Sequence, residues 1–236
     1  VWRQAVKYQV PRIAFVNKMD RTGANFERVV NMIRSNLSAN PLIVNYPIGA
    51  ESDFIGYVDL ITKNAYLFGG DKGEDVNQTD VPSDLTDKIN ELHESLLEFV
   101  AESSEELLDK YLDQGTLSES EIIHGLRVRT INGEVIPVFC GSAFKNKGVQ
   151  PLLDAVVQLL PSPLDVGNIS ASIPNSEDEK SLKPATDEVF SALAFKIMTD
   201  PFVGKLTYLR IYSGNLSAGS YVYNSSSNTK ERIGRI

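Results

Sequence analysis

Arg12-Ile13-Ala14-Phe15-Val16-Asn17-Lys18-Met19-Asp20 is the stretch on which the reading of the fold turns. Its first part is a short apolar run with β-branched and aromatic members, preceded by Pro11. A run this short and uninterrupted predicts a strand buried on both faces, as in a parallel sheet, with a functional loop at its end. Downstream, Phe26, Val29, Val30, Ile33 and Leu37 recur at helical spacing. That helix should stop near Asn40-Pro41, because a residue before proline is pushed out of the α region. Residues 42–68 carry short strand-like runs, among them Tyr57–Ile61 and Ala65–Phe68, and 69–81 read as a polar loop without periodicity.

Three helices should follow. Leu85, Ile89, Leu92, Leu96 and Phe99 form the apolar stripe of the first, and Ser103-x-x-Glu106 and Ser118-x-x-Glu121 are capping boxes that open the other two. Val135-Ile136-Pro137-Val138-Phe139 reads as a second buried strand, ending at Cys140-Gly141-Ser142-Ala143. Pro137 gives no N–H, so the strand should lack a partner at that point. A helix is expected from about 149 to 160, ended by Pro161-Ser162-Pro163. Residues 165–185 have the composition of a linker. From Phe190 the apolar period changes to two, and 205–212 and 220–223 read as further strands of a small antiparallel barrel.

Bulk properties narrow the classes. The 236 residues are 42% hydrophobic and 23% charged, with net charge −8, as in an ordinary globular chain. The negative balance argues against a general grip on nucleic acid. No apolar run is long enough to span a membrane, and the single cysteine, Cys140, leaves no internal disulfide, which fits the cytoplasm.

The chemistry lies in two loops after two buried strands. An Asp at the position of Asp20 can accept hydrogen bonds from N1–H and the exocyclic N2–H2 of guanine, a donor pair that adenine does not present. A wrong base would strand a buried carboxylate, and polar sites of this kind discriminate by roughly 10⁴-fold or more. Lys18 can lay its apolar stem along the base with its ammonium in water, while Asn17 ties the loop to neighbouring backbone. Met19 completes the tetrad and is expected with the other three among the guanine-binding residues. In the second loop the small Ala143 lets a backbone N–H approach guanine O6, Ser142 braces the loop, and Phe144 is placed to cover the other face of the base.

The residues from Val10 to Phe26, Pro47–Glu51, the run from Cys140 through Lys147-Gly148-Val149-Gln150 to Ala155, and Leu160–Asp165 resemble elongation factor G of the translational GTPase family. The block from Ala192 to Gly204 resembles the start of that family's second domain. The resemblance covers essentially the whole chain. It implies an α/β fold: a partial P-loop-type GTPase domain (1–41 and 131–164), an inserted α+β subdomain (42–130), a linker (165–185) and an incomplete antiparallel β-barrel (186–236). It places the phosphate loop, the magnesium-binding switch Thr, the Asp-x-x-Gly and the catalytic His before residue 1, and three further domains after 236. The chain is therefore expected to be a middle piece that reads GTP or GDP but does not hydrolyse GTP alone, since it contains no G-x-x-x-x-G-K-[ST]. No catalytic residue or metal ligand is expected within it; Mg²⁺ belongs to the intact parent.

Implied partners are the ribosome, through RNA at the barrel and a stalk protein at the acidic inserted subdomain, with no membrane. Exposed sheet edges predict self-association. Two other readings stand beside this one: a non-catalytic guanine- or ribosome-binding module, and a sibling translational GTPase acting in recycling or ribosome protection. His93 and His124 read as helix-face residues, Cys140 as a packing residue, and Lys230, Arg232 and Arg235 as a small basic cluster.

Overall fold

The computed structural model describes residues 1–70, 73, 75–173 and 176–236, in two units, Val1–Leu160 and Pro161–Ile236. In the first unit a short helix α1 (Trp2–Lys7) leads to β1 (Ala14–Val16), α2 (Phe26–Leu37) and β2 (Pro41–Ile43). An antiparallel segment follows: β3 (Asn45–Ile48), β4 (Gly56–Asp59), β5 (Asn64–Gly69) and β6 (Asp75–Thr79). Then come α3 (Thr86–Ala101), α4 (Glu105–Gln114), α5 (Glu119–Ile131), β7 (Ile136–Cys140) and α6 (Val149–Leu159).

Strands β1 and β2 both pair in parallel with β7, in the order β1-β7-β2. The expected boundary at 41/42 thus falls inside β2, a strand of the parallel sheet. Every residue of β7 is buried, which explains its unbroken apolar run. Pro137 is tolerated in this central strand for a directional reason. Ile136 N–H donates to Asn40 O and Val138 O accepts from Val44, both on the β2 side. The nitrogen of Pro137 therefore faces β1, whose pairing begins only at Ala14 opposite Val138.

The antiparallel sheet has the order β3-β4-β5-β6. Here the structure corrects the expected loop at 69–81: β6 is a strand whose residues are all exposed, so it shows no apolar alternation to read. Residues 71, 72 and 74 of that loop lie outside the described residues. Helix α2 starts where Asn25 Oδ1 accepts from the Arg28 N–H at 2.8 Å. The cap of α4 is Ser104, accepting from Leu107, one residue later than expected. Ser118 and Glu121 form the reciprocal capping box at α5. His93 sits on α3 with Nδ1 2.7 Å from the Leu60 carbonyl, tying that helix to the end of β4.

Two apolar clusters fill this unit. One gathers α3, α5 and α6 side chains such as Leu96, Val100, Leu126 and Leu159 against Val58 and Leu60. The other joins Val16, Met19, Val138 and Cys140 to Phe26 and Val30 of α2 and to Phe54 and Tyr57.

The second unit opens with a single turn, α7 (Pro163–Val166), capped by Ser162 and Asp165. Strands β8 (Ile169–Ser172) and β9 (Glu179–Leu182) then pair antiparallel. The segment expected to be a linker therefore contains a hairpin; residues 174 and 175 lie outside the described residues. Long strands β10 (Ser191–Asp200) and β11 (Gly204–Ser213) pair with each other, as do β12 (Tyr221–Asn224) and β13 (Thr229–Arg232). Alternation announced β10 to β12; β13, Thr-Lys-Glu-Arg, is fully polar and carried no such signal. Among the described residues no helix is long and apolar enough to cross a membrane.

Candidate functional site

The parallel pairing of β1 with β7 puts Val16 opposite Cys140, so the two strands end side by side and release their loops together. Residues 126 apart in sequence then meet: Asn17 Oδ1 accepts from the Ala143 N–H at 3.0 Å and from its neighbour Lys18 N–H at 2.8 Å. Asn17 thus ties the two loops to each other. Met19 is 1% exposed and packs into the cluster behind the loop. Its N–H donates to Gly141 O at 3.0 Å, and its carbonyl accepts from Glu51 N–H at 2.8 Å. Met19, expected among the base contacts, is the buried anchor of its loop. Lys18, by contrast, is exposed and holds φ at 63°, a left-handed conformation that costs a non-glycine residue strain and turns the chain between Asn17 and Met19.

Asp20 is the electrostatic centre. Its side chain is 8% exposed, and Oδ2 lies 3.1 Å from Lys145 Nζ. The adjacent Ser142 hydroxyl is the largest cause of a carboxyl pKa below the ordinary aspartate value; burial pushes the other way, and Lys145 adds to the lowering. Asp20 is therefore an anion at neutral pH. Its other oxygen, Oδ1, is buried and has no hydrogen-bond partner among the described residues. A buried acceptor left unmatched is costly, and it suits a ligand that brings a donor.

The second loop is closed on itself. Ser142, 2% exposed, exchanges backbone hydrogen bonds with Lys147 at 2.9 and 3.0 Å. Gly141 is required beneath it: a Cβ there would lie 2.3 Å from Lys147 O and 2.5 Å from the Phe15 ring. Ala143 is exposed at the rim and Phe144 is 95% exposed. The structure therefore brings Asn17, Asp20, Ser142 and Ala143 together, with Lys18 and Phe144 projecting beside them. Cys140, below the site, is wholly buried, and burial pushes its thiol pKa up, in keeping with a packing role.

Sequence reasoning missed Lys145 as the partner of Asp20, Glu51 as the clasp on the first loop, and Lys147 with Phe54 behind the second. Glu51 also accepts from Gly23 N–H at 2.7 Å. Pro47–Glu51 and the run from Cys140 to Ala155 stood out as blocks of the resemblance, but the spacing of these residues from the tetrad gave no sign of contact.

Two comparisons bear on this geometry. Residues 1–162 match the family described as the elongation factor Tu GTP binding domain. A crystal structure of a protein from Thermus thermophilus superposes with a TM-score of 0.76 at 24% identity, covering 98% of this chain and 31% of that one. At that identity the likeness is one of fold, and this chain spans about a third of the other's length. The paired loops at the ends of two parallel strands fit the first match, with the guanine-nucleotide binding that the family carries: the chain belongs to the family of the elongation factor Tu GTP binding domain.

Proposed function

We propose that the paired loops read the guanine base of GTP or GDP for a ribosomal translocation GTPase of the elongation factor G type. The observation that carries this reading is Asp20: an ionised, nearly buried carboxylate with one oxygen unmatched among the described residues, beside the Asn17–Ala143 tie. In the bound state Asp20 accepts from guanine N1–H and N2–H2, and Lys145 yields its hold on Oδ2. Lys18 lays its stem along one face of the base and Phe144 covers the other. Ala143 shares its N–H between Asn17 Oδ1 and guanine O6, and Ser142 keeps Asp20 charged and oriented. Met19 contributes from behind, as the anchor.

In this reading, residues from β3 to α5 are a subdomain inserted into the GTPase domain, and the strands after 186 belong to a β-barrel. Phosphate and Mg²⁺ contacts, GTP hydrolysis, ribosomal RNA and stalk-protein binding, and a cytoplasmic location are properties of the whole translation factor. Asp20→Asn tests the base assignment by chemistry. Xanthine carries a carbonyl where guanine carries the 2-amino group, and the Asn amide can donate to it. The variant should lose GDP affinity by at least about tenfold and gain xanthosine diphosphate affinity in an equilibrium titration. Unchanged GDP binding by the variant would remove Asp20 from base recognition.

A further inference from the structure

We infer that Lys147 is a positioning residue for base recognition, clamping the second loop to the turn that also clasps the first. This inference rests on the guanine reading above. The turn is Glu51–Asp53, a single 3-10 turn closed by the Phe54 N–H bond to Glu51 O at 3.3 Å. At one end Glu51 takes hold of the tetrad loop, through its N–H to Met19 O and its carboxylate to Gly23 N–H. At the other end the Phe54 carbonyl accepts from Lys147 Nζ at 2.8 Å. The same ammonium lies 5.6 Å from the ring centroids of both Phe54 and Phe68, which pack edge to face at 5.3 Å. Phe54 is fully buried, so this end of the clamp is rigid.

The turn has little freedom to give. Gly49, at its entry, has φ 75°, and a Cβ there would lie 1.9 Å from Asp53 O. Lys147 in turn fixes what it holds, because its backbone N–H and C=O both bond to Ser142, next to Ala143. Glu51 and Phe54 therefore set the separation of the two loops, and the Asn17–Ala143 bond registers it. A charge-assisted hydrogen bond and two cation–ring contacts, partly shielded from water, are strong enough to hold a loop of this size.

Lys147→Met keeps the stem and removes the donor and the charge. Amide hydrogen exchange without nucleotide should show Ala143 exchanging about tenfold or more faster, while Leu126, fully buried on α5, keeps its protection. GDP affinity should fall by a similar factor, and Lys147→Arg, which keeps donor and charge, should restore most of both. Phe68→Leu, which removes one ring, should give a smaller change in the same direction. Unchanged Ala143 exchange in Lys147→Met, or a defect that Arg leaves unrepaired, would overturn the proposal. If the unaltered chain bound GDP and ADP alike, the guanine reading would fail; the exchange experiment would still decide whether Lys147 sets the loop.

Discussion

The two units use apolar residues with similar regularity, yet they differ in what they bury. Among the described residues, every buried hydrophobic residue apart from Leu182 lies between Val16 and Leu159. In the second unit Leu193, Phe195 and Ile197 of β10 are 54%, 59% and 69% exposed. The first unit has three- and four-stranded sheets with helices packed on them, so an apolar face meets a partner. Among its described residues the second has strands in pairs and one helical turn, and a two-stranded sheet offers no second layer to bury against. Alternation in sequence therefore announces a strand in both units, but only packing turns it into a core.

The sharpest way to break this contrast is to truncate one large side chain in each unit and compare stability by urea denaturation. Leu126→Ala, at a fully buried position, should cost about 2–5 kcal/mol. Phe195→Ala, on the exposed ribbon, should cost less than about 0.5 kcal/mol. Equal costs would mean that the ribbon is covered in solution. Self-association could supply that cover, and sedimentation at rising concentration would then show species above the monomer; a clean monomer would count against it.

Smaller effects sharpen the account of the site. Gly141→Ala places a methyl against Lys147 O and the Phe15 ring, so it should cost about 1–3 kcal/mol and weaken nucleotide binding more than it weakens the fold. Ser118→Ala removes a helix cap far from both loops and should cost about 1 kcal/mol with binding intact. A parallel loss in both variants would mean that binding merely follows stability. The pH dependence has a definite sign. The folded-state pKa of Asp20 lies below its ordinary value of 3.8, so its contribution to stability is complete above that value. It is lost as pH falls through the lower folded value; Asp20→Asn should remove this part of the acid transition, as followed by circular dichroism.

Much of the first unit was legible from sequence because its elements have strong periods: β1 and β7 as unbroken apolar runs, and α2, α3 and α6 as amphipathic stripes. The tetrad was legible because its four residues are contiguous. What escaped has a physical reason in each case. Strands β6 and β13 are exposed and polar, so nothing in their side chains marks an inside. The hairpin of β8 and β9 is built from residues typical of linkers. Lys145, Lys147, Glu51 and Phe54 reach the site only through chain topology: Lys147 and Phe54 lie 93 residues apart. Met19 was expected among the base contacts with the rest of the tetrad, yet it is 1% exposed and anchors the loop from behind.

The most direct test of the central claim is amide chemical-shift mapping of this chain with GDP and, separately, with ADP. GDP should move the signals of Lys18, Asp20, Ala143 and Phe144 and leave β10 to β13 in place, and ADP should move none of them. Equal shifts with ADP, or GDP shifts that avoid both loops, would contradict it.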